Sequence, residues 1–372
     1  MKVIISAAGT GGHINPAIAI ANKIKENEPK SQIIFIGTTR GLENDLVPRA
    51  GYELKTITAH GLSKKISIEN LKNIVETFNG IKQAKKILEE FKPDIVIGTG
   101  GYICGPVFLA ASKLKIPTIL HESNAFPGKA VKMLSKKIEV MLVGFKDAVP
   151  RLSKVKKIVV TGNPTKVQKI DYGKNEKIEV LTQFGLKTEL PVVLAFGGSQ
   201  GAKAINDSLL GIIENRLNEK YQIMWAAGPK QYEIIREKLN KRNIDINNVY
   251  NMRIVPYIYD MEKIMNTCDL VIARSGAMTI TEIAKVGKPS ILIPLPNVSQ
   301  NHQEYNAKVL ANIGAAEIIY NNELTDSLLS SSIEKILLHK DKMLKMGELA
   351  ESIAIDNVED KIYNEIRKIL NK

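Results

Sequence analysis

What most restricts this chain is the character of its apolar runs. KVIIS (2–6), QIIFIG (32–37), DIVIGTG (94–100), PTILHE (117–122), KIVVTG (157–162), PVVLAFGG (191–198), DLVIARSG (269–276) and PSILIPL (289–295) are short, β-branched and apolar without alternation. A strand with two apolar faces must be covered on both, which is the mark of a parallel sheet between helical layers. The intervening segments supply those layers: PAIAIANKIKENE (16–28) and AINDSLLGIIENRL (204–217) carry apolar residues at helical spacing. The chain therefore reads as α/β from end to end.

At 372 residues it exceeds what one hydrophobic core usually supports, so two doubly wound units are expected. Residues 93–122 can be laid over 268–297, both running through Asp, apolar strand, glycine turn, helix, proline and apolar strand. This predicts two similar Rossmann-like domains, 1–163 and 164–350, with the polar stretch from Asn163 to Leu190 as linker. In the segment 351–372, Ile355, Val358, Ile362, Ile366 and Ile369 share one helical face, which is expected to pack back on the first domain.

Four glycine-rich turns follow strands: GTGGH, GTGGY, FGGSQGA and RSGAMT. In open α/β sheets such turns form the ligand crevice, and the helix N-termini behind them suit phosphate. Neither GxGxxG nor GxxxxGK[ST] is intact in them, which argues against dinucleotide and P-loop enzymes. Four turns in two domains predict a ligand clamped between those domains.

The charge balance fits an anionic ligand: 52 Lys and Arg against 39 Asp and Glu give a net charge of +13. With aromatics at 5% and no nucleic-acid motif, a nucleic-acid partner is not expected. No apolar stretch approaches the ~18 residues of a spanning helix, so membrane contact should be peripheral. Cys104 and Cys268 lie far apart beside apolar runs, as packed thiols of a reduced cytoplasmic protein do. The histidines form no helical HxxxH pair and no DxD occurs, so neither metal nor cofactor is expected.

GTGGHINPAIAIA, GTGGYICGP, HESNAFPGKA, TGNP, FGGSQGA and RSGAMTITEI…NHQEYNA occur in that order over nearly the whole chain. The set closely resembles the MurG family. That resemblance implies a GT-B architecture, two Rossmann-like domains around a cleft, and inverting transfer of GlcNAc from UDP-GlcNAc to undecaprenyl-pyrophosphoryl-MurNAc-pentapeptide. This step converts lipid I to lipid II in peptidoglycan synthesis, with consequences for cell shape and division. It implies a peripheral enzyme on the cytoplasmic side of a bacterial membrane. It assigns the C-terminal domain to the donor, with Ser199 at a phosphate, Ile258 against uracil, Ala277, Met278 and Thr279 in the turn near the phosphates, and Glu282 on the ribose. Gln303, with His302 or Gln300 beside it, would reach the donor sugar. Thr10, Gly11 and Gly12 match the donor–acceptor junction, and Asn124 a sugar contact. Where many relatives carry an arginine after GNP, Thr165 and Lys166 stand here, and lysine keeps charge without bidentate geometry.

Transfer to a sugar hydroxyl needs a base beside the attacking oxygen, and histidine suits that at neutral pH. His13 is the catalytic candidate; Tyr102, His121 and Glu122 end neighbouring strands and could assist, with Glu122 as rival base. Residues 60–88 combine Ile66, Ile68, Leu71, Ile74, Val75 and Phe78 with six lysines, a surface suited to an anionic membrane. The alternative readings of the whole are a UDP-GlcNAc 2-epimerase or another GT-B glycosyltransferase.

Overall fold

The computed structural model describes residues 1–60 and 68–371, and the side chains of all of these but 68–75. They divide into two compact units, Met1–Thr165 with Ile355 onward, and Lys166–Ala354. The first unit runs β1 (Lys2–Ser6), α1 (Gly11–Asn27), β2 (Gln32–Gly37), α2 (Glu43–Arg49), β3 (Glu53–Thr56), α3 (Ile68–Phe91), β4 (Ile95–Gly98), α4 (Cys104–Lys113), β5 (Thr118–Glu122), α5 (Lys129–Leu134), β6 (Val140–Val143) and β7 (Ile158–Val160). The second runs α6 (Lys174–Gln183), β8 (Val192–Phe196), α7 (Lys203–Glu214), β9 (Gln222–Ala226), α8 (Pro229–Asn240), β10 (Met252–Val255), α9 (Met261–Thr267), β11 (Leu270–Ala273), α10 (Ala277–Val286), β12 (Ser290–Leu292), α11 (His302–Ala311), β13 (Ala316–Ile318), α12 (Asp326–Leu337) and α13 (Lys340–Glu351). α14 (Val358–Leu370) belongs to the first unit.

The described strands of the first unit are ordered β3-β2-β1-β4-β5-β6-β7, and those of the second β10-β9-β8-β11-β12-β13. Adjacent strands are parallel in both sheets. Each chain segment begins at a central strand, winds outward, then returns to the other side of that strand. The order reverses between β1 and β4, and again between β8 and β11. The two stretches that resemble each other in sequence are β4-α4-β5 and β11-α10-β12, which fill equivalent places beside the two reversals.

The interior strands are the ones with continuous apolar character: β4 and β8, for example, are buried along their whole length. β3, β6, β9, β10 and β13 were not expected from the sequence. ELKT in β3 and MRIV in β10 lie at sheet edges and keep exposed positions, so they never need two apolar faces. The stretch from Asn163 to Leu190, expected as a linker, contains α6, which packs on α9 within the second unit.

The apolar stripe of α14 packs on α1: Ile362 and Ile366 are fully buried and Val358 nearly so, with Ile355 and Ile369 at the margin. Each such isoleucine contributes about 1.5–3 kcal/mol on burial. Glu28, at the end of α1, fixes the register by accepting from Tyr363 at 3.0 Å and Arg367 at 2.7 Å. Both cysteines are buried and unpaired, and burial pushes the thiol of Cys104 up to about 11 and that of Cys268 up to about 12. Among the described residues no helix is long and apolar enough to cross a membrane.

Candidate active site

The reversal of strand order places two glycine turns side by side in each unit. In the first unit these are the β1–α1 turn, GTGGH, and the β4–α4 turn, GTGGY. Thr10 takes extended backbone as the N-cap of α1, and its carbonyl accepts from His13 N–H at 3.0 Å, so His13 sits in the first helical turn. Its ring crosses to the neighbouring turn: Nδ1 lies 3.0 Å from the carbonyl of Thr99, while Thr99 Oγ1 donates back to the His13 carbonyl at 2.7 Å. A carbonyl can only accept, so Nδ1 carries a proton, and in the neutral ring the lone pair is then on Nε2.

The glycines behind the ring make room for it. A Cβ on Gly100, whose φ is +106°, would stand 2.7 Å from His13 Nδ1. The half-buried imidazole is thus packed on bare backbone and held in one tautomer.

β5 ends in His121 and Glu122, which do different work. His121 is wholly buried, its Nε2 3.0 Å from the Gly162 carbonyl and its Nδ1 3.4 Å from Ser123 Oγ. Burial depresses its pKa to about 4, so the ring is neutral and structural. Glu122 is nearly as buried, and both its oxygens accept from the loop beyond it. Oε1 takes Asn124 N–H at 2.9 Å and Asn124 Nδ2 at 3.0 Å; Oε2 takes Gly128 N–H at 2.8 Å. Tyr102 stands at the surface of the β4–α4 turn.

In the second unit the corresponding turns, GGSQGA after β8 and RSGAMT after β11, border a cavity of about 590 Å³. Gly201 closes the first turn by donating to Gly198 O at 2.9 Å, and its φ of +74° together with an Ala227 carbonyl 2.1 Å from any Cβ excludes a side chain. Two helix N-termini, those of α7 and α10, begin at these turns. Such ends offer N–H groups and a positive dipole to an anion.

Arg274 lines the same cavity and is 9% exposed. Nη1 donates to the carbonyls of Ile293 and Pro294 at 2.9 and 3.2 Å, and Nη2 to Asn321 Oδ1 at 2.9 Å. Its Nε meets no acceptor, and no carboxylate pairs with it among the described residues. Burial lowers its pKa from the usual arginine range. The other cation of the lining, Lys203, is ion-paired with Asp207. The excess positive charge of the cavity is therefore that of Arg274, and a buried donor without a partner costs about 1–3 kcal/mol. An anion in the cavity would balance the guanidinium's charge.

Several residues nominated from the sequence meet at this cavity: Thr279 and Gln303 line it, and Gln303 Oε1 is fixed by Leu295 N–H at 2.9 Å. Ser199 is exposed in the β8–α7 turn, Ala277 opens α10, and Met278 and half-buried Glu282 follow on one face of it. His302 turns back to Ser299 O at 2.9 Å, and Gln300 adopts a left-handed backbone beside it; neither lines the cavity. Ile258 is buried between exposed Tyr257 and Tyr259 and does not line the cavity. Thr165 ends the first unit and Lys166, exposed, begins the second. Arg274, Asn321 and the Thr99 carbonyl were missed. Arg274 had a signal: an arginine directly continues the apolar strand LVIA. Among the described residues no group of three His, Cys, Asp or Glu side chains converges as metal ligands.

Residues 3–143 match the glycosyltransferase family 28 N-terminal domain and residues 192–360 the glycosyltransferase family 28 C-terminal domain. The chain is 42% identical, over 99% of its length and 100% of the relative's, to the UDP-N-acetylglucosamine--N-acetylmuramyl-(pentapeptide) pyrophosphoryl-undecaprenol N-acetylglucosamine transferase of Thermoanaerobacter sp.. It is also 42% identical to the Acetivibrio thermocellus protein of that name, over 100% of this chain and 98% of that one. Acinetobacter baumannii MurG has a similar structure, with TM-score 0.78, 28% identity and 99% of each chain covered. The UDP-GlcNAc 2-epimerase of Neisseria meningitidis, at TM-score 0.65 and 18% identity over 99% of this chain and 100% of that one, shares the fold.

Proposed function

The chain belongs to glycosyltransferase family 28 and, within it, to the MurG family, and from that premise we propose how its residues divide the reaction. It is an N-acetylglucosaminyltransferase of peptidoglycan synthesis with a GT-B fold, using a UDP-sugar donor and a lipid-linked acceptor. It moves GlcNAc from UDP-GlcNAc to N-acetylmuramyl-(pentapeptide) pyrophosphoryl-undecaprenol, which is lipid I to lipid II. The epimerase alternative is not favoured, since the likeness there extends to fold alone.

In this reading the second unit holds the donor and the first the acceptor. The observation that carries it is the cavity between the second unit's glycine turns, whose buried guanidinium pairs with no carboxylate among the described residues. A diphosphate supplies the missing charge, met by Arg274, the N–H groups of the β8–α7 turn with Ser199, and the α10 N-terminus at Ala277, Met278 and Thr279. Glu282 accepts the ribose hydroxyls, the main chain at Ile258 reads uracil, and Gln303 reaches the sugar, with His302 and Gln300 holding the turn before it. Lys166, which begins the second unit directly after Thr165, adds positive charge toward the diphosphate.

His13 is the base. Nε2 takes the proton of the muramoyl 4-hydroxyl as that oxygen bonds to C1 of GlcNAc, and the C1–O bond to UDP breaks with its electron pair on the departing phosphate. Attack opposite the leaving group inverts C1. Thr10, Gly11 and Gly12 let backbone approach both substrates, with Tyr102 at the edge. Glu122 is assigned to the loop rather than to proton transfer, because its oxygens are already engaged by the N–H groups that present Asn124.

Membrane docking through the first unit extends the proposal. Residues 61–67 and the side chains of 68–75, including Ile66, Ile68, Leu71, Ile74 and Val75, lie outside the described residues. Farther along α3, Phe78 is 63% exposed and Lys82, Lys85 and Lys86 face solvent, while Ala84 and Leu88 anchor the opposite side. Lys85 and Lys86 pair with Glu89 and Glu90, which tempers their attraction to an anionic surface.

Radiolabelled UDP-GlcNAc tests the whole. Label should pass to a lipid I analogue with inversion, and release without acceptor should be slow. Interconversion of the free UDP-sugar without lipid would sink the reading.

A further inference from the structure

We propose that Glu43 is a positioning residue for the transfer, its carboxylate clamping the β1–α1 glycine turn and thereby fixing where His13 is held. The proposal rests on the role given to His13 above. Glu43 opens α2, and its side chain is fully buried. One oxygen, Oε2, accepts the N–H of Gly9 at 2.9 Å. The other, Oε1, accepts the N–H and the hydroxyl of Thr38 at 3.0 and 2.7 Å. The carbonyl of Gly9 is held in turn by Leu42 N–H at 3.5 Å, so both polar groups of this residue are taken by the β2–α2 turn.

Two more glycines are shaped around the same carboxylate. A Cβ on Gly41 would stand 2.0 Å from Glu43 Oε2, and one on Gly37 2.7 Å from its Cγ. Gly9 itself has φ of +98°, which other residues adopt only with strain. Three backbone segments thus converge on one acid.

No cation pairs with Glu43 among the described residues; its partners are neutral donors. Burial raises its pKa, but the bonds from Gly9 and Thr38 outweigh that and leave it lowered, so the group is ionised at neutral pH. For stability alone such a group is a poor choice, because apolar side chains of similar volume often do as well or better than a buried charge. What the carboxylate supplies is a fixed position for a loop that glycines would otherwise leave loose. Gly9 leads directly into Thr10, whose carbonyl accepts His13 N–H at 3.0 Å. His13 is therefore held through its ring by the Thr99 carbonyl and through its main chain by the turn that Glu43 clamps.

The test is a double-mutant cycle on the full chain. E43Q keeps the shape but replaces one acceptor oxygen with a donor NH₂, so either Gly9 or Thr38 loses its partner. It should lower kcat about 10–100-fold, the effect of misplacing a reacting group by an ångström or so, while UDP affinity stays within about twofold because the sites are separate. In an H13A background, E43Q should cost less than about threefold more, as expected when two residues act through one another. G41A, which pushes the carboxylate aside with its charge kept, should repeat the defect and serves if E43Q does not fold. T38V, which spares the Gly9 bond, should stay within about threefold of wild type.

The same fold loss from E43Q with and without His13 would overturn the proposal, as would wild-type kcat in folded E43Q. H13A with normal turnover would instead sink the role of His13. Amide exchange at Gly9 separates that case, since it reports the clamp independently of chemistry.

Discussion

The two units share a strand order and each carries two glycine turns at its reversal, yet they use the place differently. In the first, the gap is filled by the chain's own side chain: the His13 ring lies against Gly100 and is bonded to Thr99. In the second, the gap remains a cavity of about 590 Å³ with a buried guanidinium in its wall. Glycine serves both ends. At Gly100 it clears space for the His13 ring; at Gly198 a Cβ would meet nothing within 4 Å, and the φ of +82° is what calls for glycine. One topology thus yields a filled gap in one unit and an open one in the other, which the proposed function reads as a holder of a proton acceptor and a container for an anion.

Removing the reagent should give the largest effect. H13A is expected to lower turnover by ~10²–10⁴, the range for general-base loss, with UDP affinity unchanged because the second unit is untouched. Steady-state transfer and UDP calorimetry check the two halves; a fall in both together would erase the distinction between the units.

Acid separates the units next. Buried His121 has its pKa depressed to about 4 by desolvation, against an ordinary value near 6.5. The unfolded chain therefore takes up a proton that the folded first unit refuses, and stability is lost as pH falls from about 6.5 toward 4, on the order of 3 kcal/mol. Hydrogen exchange at pH 7 and 4.5 should show a loss of protection in the β1–β7 sheet that replacing His121 with asparagine reduces. Equal acid sensitivity in both variants would remove His121 as its source.

R274Q comes third. It deletes the cavity's unbalanced charge and should weaken UDP binding by about 1.5–3 kcal/mol, the worth of hydrogen bonds to charged groups, with a shallower dependence on salt. Turnover at saturating donor should change less than in H13A. Unaltered UDP affinity would mean that the guanidinium serves the fold, through Asn321 and the Ile293 and Pro294 carbonyls, rather than the ligand.

This contrast was only half legible in the sequence. Interior strands such as DIVI and LVIA announce themselves because both faces are buried, and the glycine turns mark the strand ends; edge strands such as ELKT lack that compulsion. His13 stood out as the polar residue after a glycine cluster. What holds it did not, because the Thr99 carbonyl is main chain and leaves no mark on residue type. Asn321 reaches Arg274 across 47 positions, and Glu43 reaches Gly9 across 34, pairings only the fold creates. His121 and Glu122, adjacent at one strand end, both looked able to assist catalysis, with Glu122 as rival base; the structure shows one neutral by burial and the other engaged by the loop N–H groups.

The smallest expected effect sharpens the comparison most finely. Gly276 precedes α10 with φ of −63° and ψ of 148°, a conformation any residue adopts, and the nearest atom to an added Cβ is Thr279 Oγ1 at 3.8 Å. Neither strain nor crowding from the chain demands glycine there. G276A should therefore leave stability within about 0.5 kcal/mol, as ordinary substitutions do. Gly276 nevertheless lines the cavity. If its bare backbone is kept for the diphosphate, the methyl group should weaken UDP binding by about 1 kcal/mol, the lower end of overpacking costs. Thermal unfolding and UDP titration on the one variant decide between chain and ligand. A destabilised G276A with normal affinity would make this glycine like Gly100, needed by the protein itself, and the second turn would no longer count as part of the container.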